Sequence, residues 1–348
     1  VINSAADATE QFSIDGHILT VIANDFVPVV PYNTTVLTLG IGQRSDIIVT
    51  ANYSSSSTFW MRSNITCSTS LNPNAVAVVM YDKASTSTIP TSTPQPYTPG
   101  CNNDPLASTV PVYAINPGTP ATTQTIDITV AQNATGSWLW YMNGTSFRGD
   151  YNDPTLLLAK AGNTSYPYSP QFNIINTGSN SSYRFIVNNL TPTVHPLHFH
   201  GHNMFVLAVG TGTWDGKTIV NPTNPQRRDV QLVPPFGYMV WQANAGKLSS
   251  TTNKFIARLG LISHQDNPGA WPFHCHIAWH AGAGLFVDIL ENPAVIKNLP
   301  IPSSVDQVCS DWSKFSATGA VDQIELVPEN SCVFATVTNE ILQFRRIR

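Results

Sequence analysis

Charge is scarce in this sequence: Asp, Glu, Lys and Arg together make up 11% of 348 residues, against about a quarter in ordinary soluble proteins. No basic run occurs and the formal net charge is −4. That removes the electrostatic basis for binding nucleic acid or an anionic membrane surface. No apolar stretch is long enough to cross a bilayer. Helical periodicity is missing from most of the chain, and only "DQVCSDWSKF" near the C-terminus has the spacing for a turn or two. Cysteine is also sparse. Cys67, Cys101, Cys275, Cys309 and Cys332 leave an odd one even if two disulfides form.

What is present reads as all-β. Short runs rich in Val, Ile and Thr, such as "HILTVIAN", "SDIIVTA", "TIDITVA" and "YRFIVNN", alternate with Gly, Pro, Asn and Ser clusters at sandwich-like spacing. A Pro/Ser/Thr-rich stretch, "ASTSTIPTSTPQPYTPG", reads as a long surface connection. It sets an expected boundary between residues 1–109 and 110–310, with 311–348 as a divergent tail. The sequence opens on Val1, which reads as a processed chain or a fragment. Sequons at Asn33, Asn52, Asn64, Asn133, Asn143, Asn163, Asn180 and Asn189, together with the low charge, suggest a secreted, extracellular glycoprotein.

All nine histidines except His17 and His264 fall in two windows, "HPLHFHGH" and "HCHIAWH". Alternate residues of a strand face opposite ways. Read as strand, His274 and His276 face one side and Cys275 the other; His198 and His200 share a face that His195 does not. His280, past a short turn, can return toward Cys275. If the two segments are neighbours, one side gathers His195, Cys275 and His280. The other gathers His198, His200, His274 and His276. Two imidazoles and one thiolate make a blue-copper donor set, whereas a structural zinc site wants four ligands. The imidazole-only set suits copper ions that bind oxygen, and the peptide flanking Cys275 becomes a short covalent path between the two. His202 shares the parity of His198 and His200, so strand geometry alone admits it as a ligand. His17 has no second ligand nearby and reads as structural.

"HPLHFHGH" and "HCHIAWHAGAGL" resemble the C-terminal copper motifs of multicopper oxidases. "IDGHILTVIANDFVPVVPY", "GIGQRSDIIV", "RRDVQLVP", "DNPGAWPFHCHIAWH" and "VDILENPA" narrow the resemblance to ascomycete-type fungal laccases. It implies two cupredoxin-like Greek-key β-sandwich domains, the second and third of a three-domain enzyme. It implies copper as cofactor: type 1 copper on His195, Cys275 and His280 with Leu285 at the axial position, type 2 on His198, type 3 on His200, His274 and His276. It puts His202 behind the ligands, Trp279 and Tyr151 in the substrate pocket wall, Cys67 with Cys101 in a disulfide, and Cys309 with a cysteine of a first domain. The reaction implied is oxidation of phenols or aromatic amines coupled to reduction of dioxygen to water. Many members use an acidic group to accept the phenolic proton, which the resemblance puts ahead of Val1.

Three departures qualify this. No HxH motif precedes His195, so half of the trinuclear ligands would come from a first domain outside this chain. The chain alone would then accept electrons as a laccase fragment without four-electron reduction of oxygen; the alternative is a copper-binding electron-transfer module or an inactive product. Residues 243–265 interrupt the family pattern and read as a loop or as translated intron. After Cys309 the family pattern is lost, and whether Cys332 replaces its partner is open.

Overall fold

The computed structural model describes residues 1–68, 70–165, 170–180, 182–244 and 267–318, and the backbone of Val333–Thr338 and Ile341–Arg346. The segment expected to be loop or intron lies, from 245 onward, outside the described residues, as do Cys332 and most of the tail.

Seven strands form a first sandwich: β1 (Thr9–Ile14), β2 (Leu19–Asn24), β3 (Val27–Thr34), β4 (Leu37–Leu39), β5 (Ser45–Val49), β6 (Thr58–Thr66) and β7 (Asn74–Met80). They pair as a four-stranded sheet, β4-β1-β6-β7, and a three-stranded sheet, β3-β2-β5. Leu19, Val21, Leu37, Leu39 and Phe59 are buried between them. Cys67 and Cys101 are joined by a disulfide that pins the connection following β7 back onto the sheet. His17 is buried with both ring nitrogens engaged: Nδ1–H donates to the Asp15 carbonyl (2.8 Å) and Nε2 meets the Tyr81 hydroxyl (2.8 Å). It is a structural histidine.

The second sandwich holds β8 (Thr122–Gln132), β9 (Trp138–Met142), β10 (Ile174–Gly178), β11 (Ser182–Asn189), β12 (His195–Phe199), β13 (Met204–Thr211), β14 (Gln226–Arg228), β15 (Val230–Val233), β16 (Gly237–Asn244), β17 (Gly269–Cys275) and β18 (Phe286–Glu291). A five-stranded sheet, β10-β18-β17-β12-β15, faces a six-stranded one, β14-β13-β16-β11-β8-β9. Alternation decides what each strand buries. In β11, Tyr183, Phe185 and Val187 point inward and Arg184, Ile186 and Asn188 do not. Each such inward side chain contributes about 1.5–3 kcal/mol on burial. Leu197, Phe199, Phe273, Val287 and Ile289 answer from the opposing sheet, and Cys275 lies among them. β19 (Val333–Thr338) and β20 (Ile341–Arg346) pair with each other as a separate hairpin.

Helices are short: α1 (Thr155–Lys160), α2 (Ala278–Gly282) and α3 (Pro293–Ile296), then a longer α4 (Ser303–Ser316). The turn or two expected at "DQVCSDWSKF" is thus a 14-residue helix. It starts three residues before that stretch, at Ser303, where the Pro302 carbonyl accepts from the Val305 and Asp306 amides (2.9 and 3.3 Å). No helix of the described residues is long and apolar enough to cross a membrane.

An ionic clasp joins the two sandwiches. Arg44 grips the Asp229 carboxylate with both guanidinium arms (2.6 and 2.7 Å). The buried Asp25 receives Arg228 (2.8 and 3.2 Å). Burial alone would make either pair a poor source of stability, and the bidentate geometry is what offsets the desolvation. The motifs "GIGQR" and "RRDV" therefore dock the first sandwich against the outer face of β12 and β17.

Candidate metal centre

β12 and β17 are antiparallel neighbours, with Leu197 opposite Cys275, His198 opposite His274 and Phe199 opposite Phe273. Residues directly opposite share a face. Cys275 therefore turns into the core with Leu197 and Phe273. His198 and His274 turn outward, toward the loop holding Gly42 and Arg44. His200 and His276, one step beyond each strand, continue the outward set.

On the core side, Cys275 Sγ lies 3.6 Å from His195 Nδ1 and 3.6 Å from His280 Nδ1. The two Nδ1 atoms are 3.2 Å apart. Each of the three residues comes from a different local device. His195 opens β12. Cys275 closes β17. His280 returns on α2, whose single turn is held by Leu285: the Leu285 amide donates to the His280 carbonyl (3.0 Å), and its carbonyl accepts from the Cys275 amide (3.1 Å). Leu285 itself is fully buried. Cys275 and His195 are also fully buried. Burial pushes the Cys275 thiol well above its ordinary value, against a hydrogen bond from the Ile277 N–H. Burial, with His280 beside it, lowers His195 to about 3. Burial lowers His280 to about 4, opposed by the charge of Asp7. Neutral imidazoles beside a thiol that cannot ionise unaided are what a soft or borderline cation requires and stabilises, since it replaces the proton on sulfur. Three bonds of about 2.0–2.3 Å in one plane need donors about 3.5 Å apart, so the residues fit copper.

The outer side is built differently. His198 Nδ1–H donates to the Asp229 carbonyl (2.9 Å), and His274 Nδ1–H donates to the Cys275 carbonyl (2.8 Å). Both rings thus turn Nε2 away from these carbonyls. The Nε2 atoms of His200 and His274 approach to 2.9 Å, a separation two ligands of one ion adopt. Burial lowers His198 and His274 to about 4 each and lowers His200 as well. Gly42 supports His276. Its backbone has φ +82°, and a Cβ there would stand 2.8 Å from the ring. Only glycine lets this loop lie flat against the imidazole.

His202 is not part of either set. The chain turns at Gly201 (φ +67°), which breaks the strand parity and sends His202 into the core. Its ring stacks on Phe199 (4.4 Å, 8°) and its Nδ1–H donates to the His200 carbonyl (2.7 Å). Nε2 lies 3.2 Å from Glu291, though not aligned as a hydrogen bond. Trp279, 68% exposed beside His280, is not core packing. Tyr151 is exposed and meets Trp312 of α4 edge-on (5.5 Å).

Three further residues at the site escape pattern reading. Trp140 packs on both histidines, 4.1 Å from His280 and 4.8 Å from His195. Its only signal is a place in the aromatic strand "WLWYM". Asp7, exposed, acts electrostatically on both His280 and Cys275. The Ala278 amide, donating to the Ala6 carbonyl (3.0 Å), ties that segment to α2. The third is Thr191. It belongs to the Asn189 sequon, but Asn189 is 0% exposed and cannot carry a glycan in this fold. Thr191 Oγ1 instead lies 3.0 Å from His195 Nε2.

Comparison with known proteins agrees with this geometry. Multicopper oxidase family models match residues 1–84 and then 143–248 with 257–295. Laccase-1 of Botryotinia fuckeliana is 35% identical over 331 residues, which is 91% of this chain and 54% of its own length. Dihydrogeodin oxidase of Aspergillus terreus is 32% identical, over 90% of this chain and 54% of its own. The crystal structure of the laccase from Botrytis aclada superposes with a TM-score of 0.78 at 31% identity, covering 92% of this chain and 56% of that one. The chain spans about half the length of these relatives. The β-sandwiches are cupredoxin-like, as in the solved oxidases. By motif, fold and sequence match, the chain belongs to the multicopper oxidase family.

Proposed function

We propose that this chain is the substrate-oxidising part of a laccase. The carrying observation is the convergence of Cys275 Sγ with two imidazole Nδ1 atoms on the core side of β17, back to back with imidazoles on the outer side. His195, Cys275 and His280 would hold a type 1 copper beside the buried Leu285. His198 would hold a type 2 copper, and His200, His274 and His276 a type 3 pair. Bound copper would supply one-electron redox chemistry on the core side and dioxygen reduction on the outer side. The chain's own residues do the rest. Cys275 joins the two sides covalently through its peptide links to His274 and His276. Trp140 and Leu285 keep water from the sulfur. His280 reaches the surface beside Trp279, which offers an aromatic wall to a phenol or aromatic amine. Asp7, at that edge, takes the proton the phenol loses.

The outer imidazoles remain partly exposed, which supports further donors from a preceding domain. It equally supports an electron-transfer module if none arrive. Reading residues 1–109 and 110–310 as second and third domains fits this scheme. The Cys67–Cys101 disulfide supports a secreted protein. The test is copper(II) titration of the chain. One intense thiolate-to-copper visible band at one equivalent is expected, with phenol bleaching it. A colourless complex would overturn the reading.

A further inference from the structure

The buried Asn189–Thr191 pair has no place in the family scheme, and its hydrogen bonds determine more than their own geometry. Asn189 Nδ2 donates to the Thr193 carbonyl (2.7 Å) and the Pro234 carbonyl (2.9 Å). Both amide hydrogens are therefore committed, and the orientation of the side-chain amide is fixed. Its oxygen accepts from the Thr191 amide (3.1 Å) and from the Thr191 hydroxyl (2.7 Å). The hydroxyl hydrogen of Thr191 is thus already used. Toward His195 Nε2, 3.0 Å away, Thr191 Oγ1 can only accept. The Nε2 atom must carry a proton, and the lone pair of the neutral ring lies on Nδ1, facing Cys275 and His280. Asn189, Thr191 and His195 are at most 1% exposed, so water cannot take over any of these bonds.

We infer that Thr191, oriented by Asn189, is a positioning residue that locks the His195 tautomer and presents Nδ1 to the metal. The inference rests on the copper reading only for its consequence; the tautomer itself is a property of the metal-free chain. Thr191 does this by accepting, and a buried imidazole N–H left without an acceptor is costly. Partners behind a ligating imidazole commonly govern metal affinity by about ten- to a hundredfold.

The test begins with ¹⁵N-histidine NMR of the metal-free chain. The expected His195 signature is a protonated Nε2 with a bare Nδ1. A protonated Nδ1 in the wild type would overturn the inference without any variant. Thr191→Val, which keeps shape but removes the acceptor, is expected to mix the two tautomers, and Thr191→Ser to restore the single form. Copper(II) affinity should follow, falling about ten- to a hundredfold in T191V and recovering in T191S. A T191V chain with wild-type tautomer and affinity refutes the role. A wild type that shows the expected tautomer but binds no copper refutes the copper reading and leaves the inference standing.

Discussion

The two faces of the β12–β17 pair use the same strands and reach opposite solutions. On the core face, three donor atoms lie within 4.8 Å of one another, enclosed by side chains and tied by backbone bonds to Leu285. On the outer face, four imidazoles are each partly exposed, and only His200 and His274 bring ring nitrogens together. The core face is complete because three local devices (a strand start, a strand end and a single helical turn) deliver donors into packed surroundings. The outer face has its rings aimed by carbonyl acceptors and, among the described residues, is covered only in part, by the loop holding Gly42. Enclosure therefore comes from the chain's own core on one side and stays partial on the other. The core face also differs in chemistry: it alone carries sulfur, the one donor there that brings negative charge to a cation.

The largest expected effect removes that charge. Cys275→Ser should abolish the visible thiolate-to-copper band altogether and lower core-face copper affinity by more than about a hundredfold, beyond the usual effect of an outer partner. His274→Ala with His276→Ala should leave that band in place while emptying the outer face. Absorption and metal analysis of the two variants check this. A band surviving in C275S would break the distinction between the faces.

Acid should separate the faces next. His195 and His274 are lowered to about 3 and about 4 from an ordinary 6.5. The unfolded chain therefore takes up protons first as pH falls, so the stability these residues contribute is present above pH 6.5 and is lost toward pH 4. In the metal-free chain these two groups alone give a slope of about 2–3 kcal/mol per pH unit, and His198, His200 and His280, also lowered by burial, steepen it in the same direction. Urea midpoints at pH 6.5 and 5 measure it. Histidine NMR should show the outer His274 protonating before the core His195, and the reverse order would invert the comparison. Gly42→Ala comes third. It places a Cβ 2.8 Å from the His276 ring at a positive φ, costing about 1–3 kcal/mol. The damage should be confined to the outer face: lower thermal stability and weaker outer-site metal, with the core-face band unchanged.

The division into faces was legible in the sequence because strand parity is strict. "HCH" and "HPLHFH" needed only to be neighbours for Cys275 and its flanking histidines to part. Parity misled at His202, where a left-handed glycine ended the strand and redirected the next residue inward. A periodicity rule does not see that turn. The Cys67–Cys101 disulfide came from the family pattern, not from spacing. Thr191 was hidden by a competing signal: "NLT" reads as a sequon, and only burial shows that its amide is structural. Trp140 and Asp7 are brought to the site by pairings distant in sequence, Trp140 to Ala283 and Ala6 to Ala278, which no local pattern encodes.

Asp7 gives the smallest expected effect and the finest test of the core face. It is exposed, and its charge favours a cationic His280. Water can also accept a phenolic proton there, so Asp7→Asn should slow the bleaching of the copper-loaded chain's visible band by a phenol no more than about fivefold, the scale of an exposed charge interaction. The loss should shrink as salt is raised, because screening weakens a surface charge. Asp7→Glu should restore most of it. An aromatic amine that is oxidised without losing a proton should be nearly indifferent to D7N. Equal losses for phenol and such an amine would mean that Asp7 acts on His280 by charge alone. The mouth of the core face would then distinguish substrates through Trp279 and not through proton transfer.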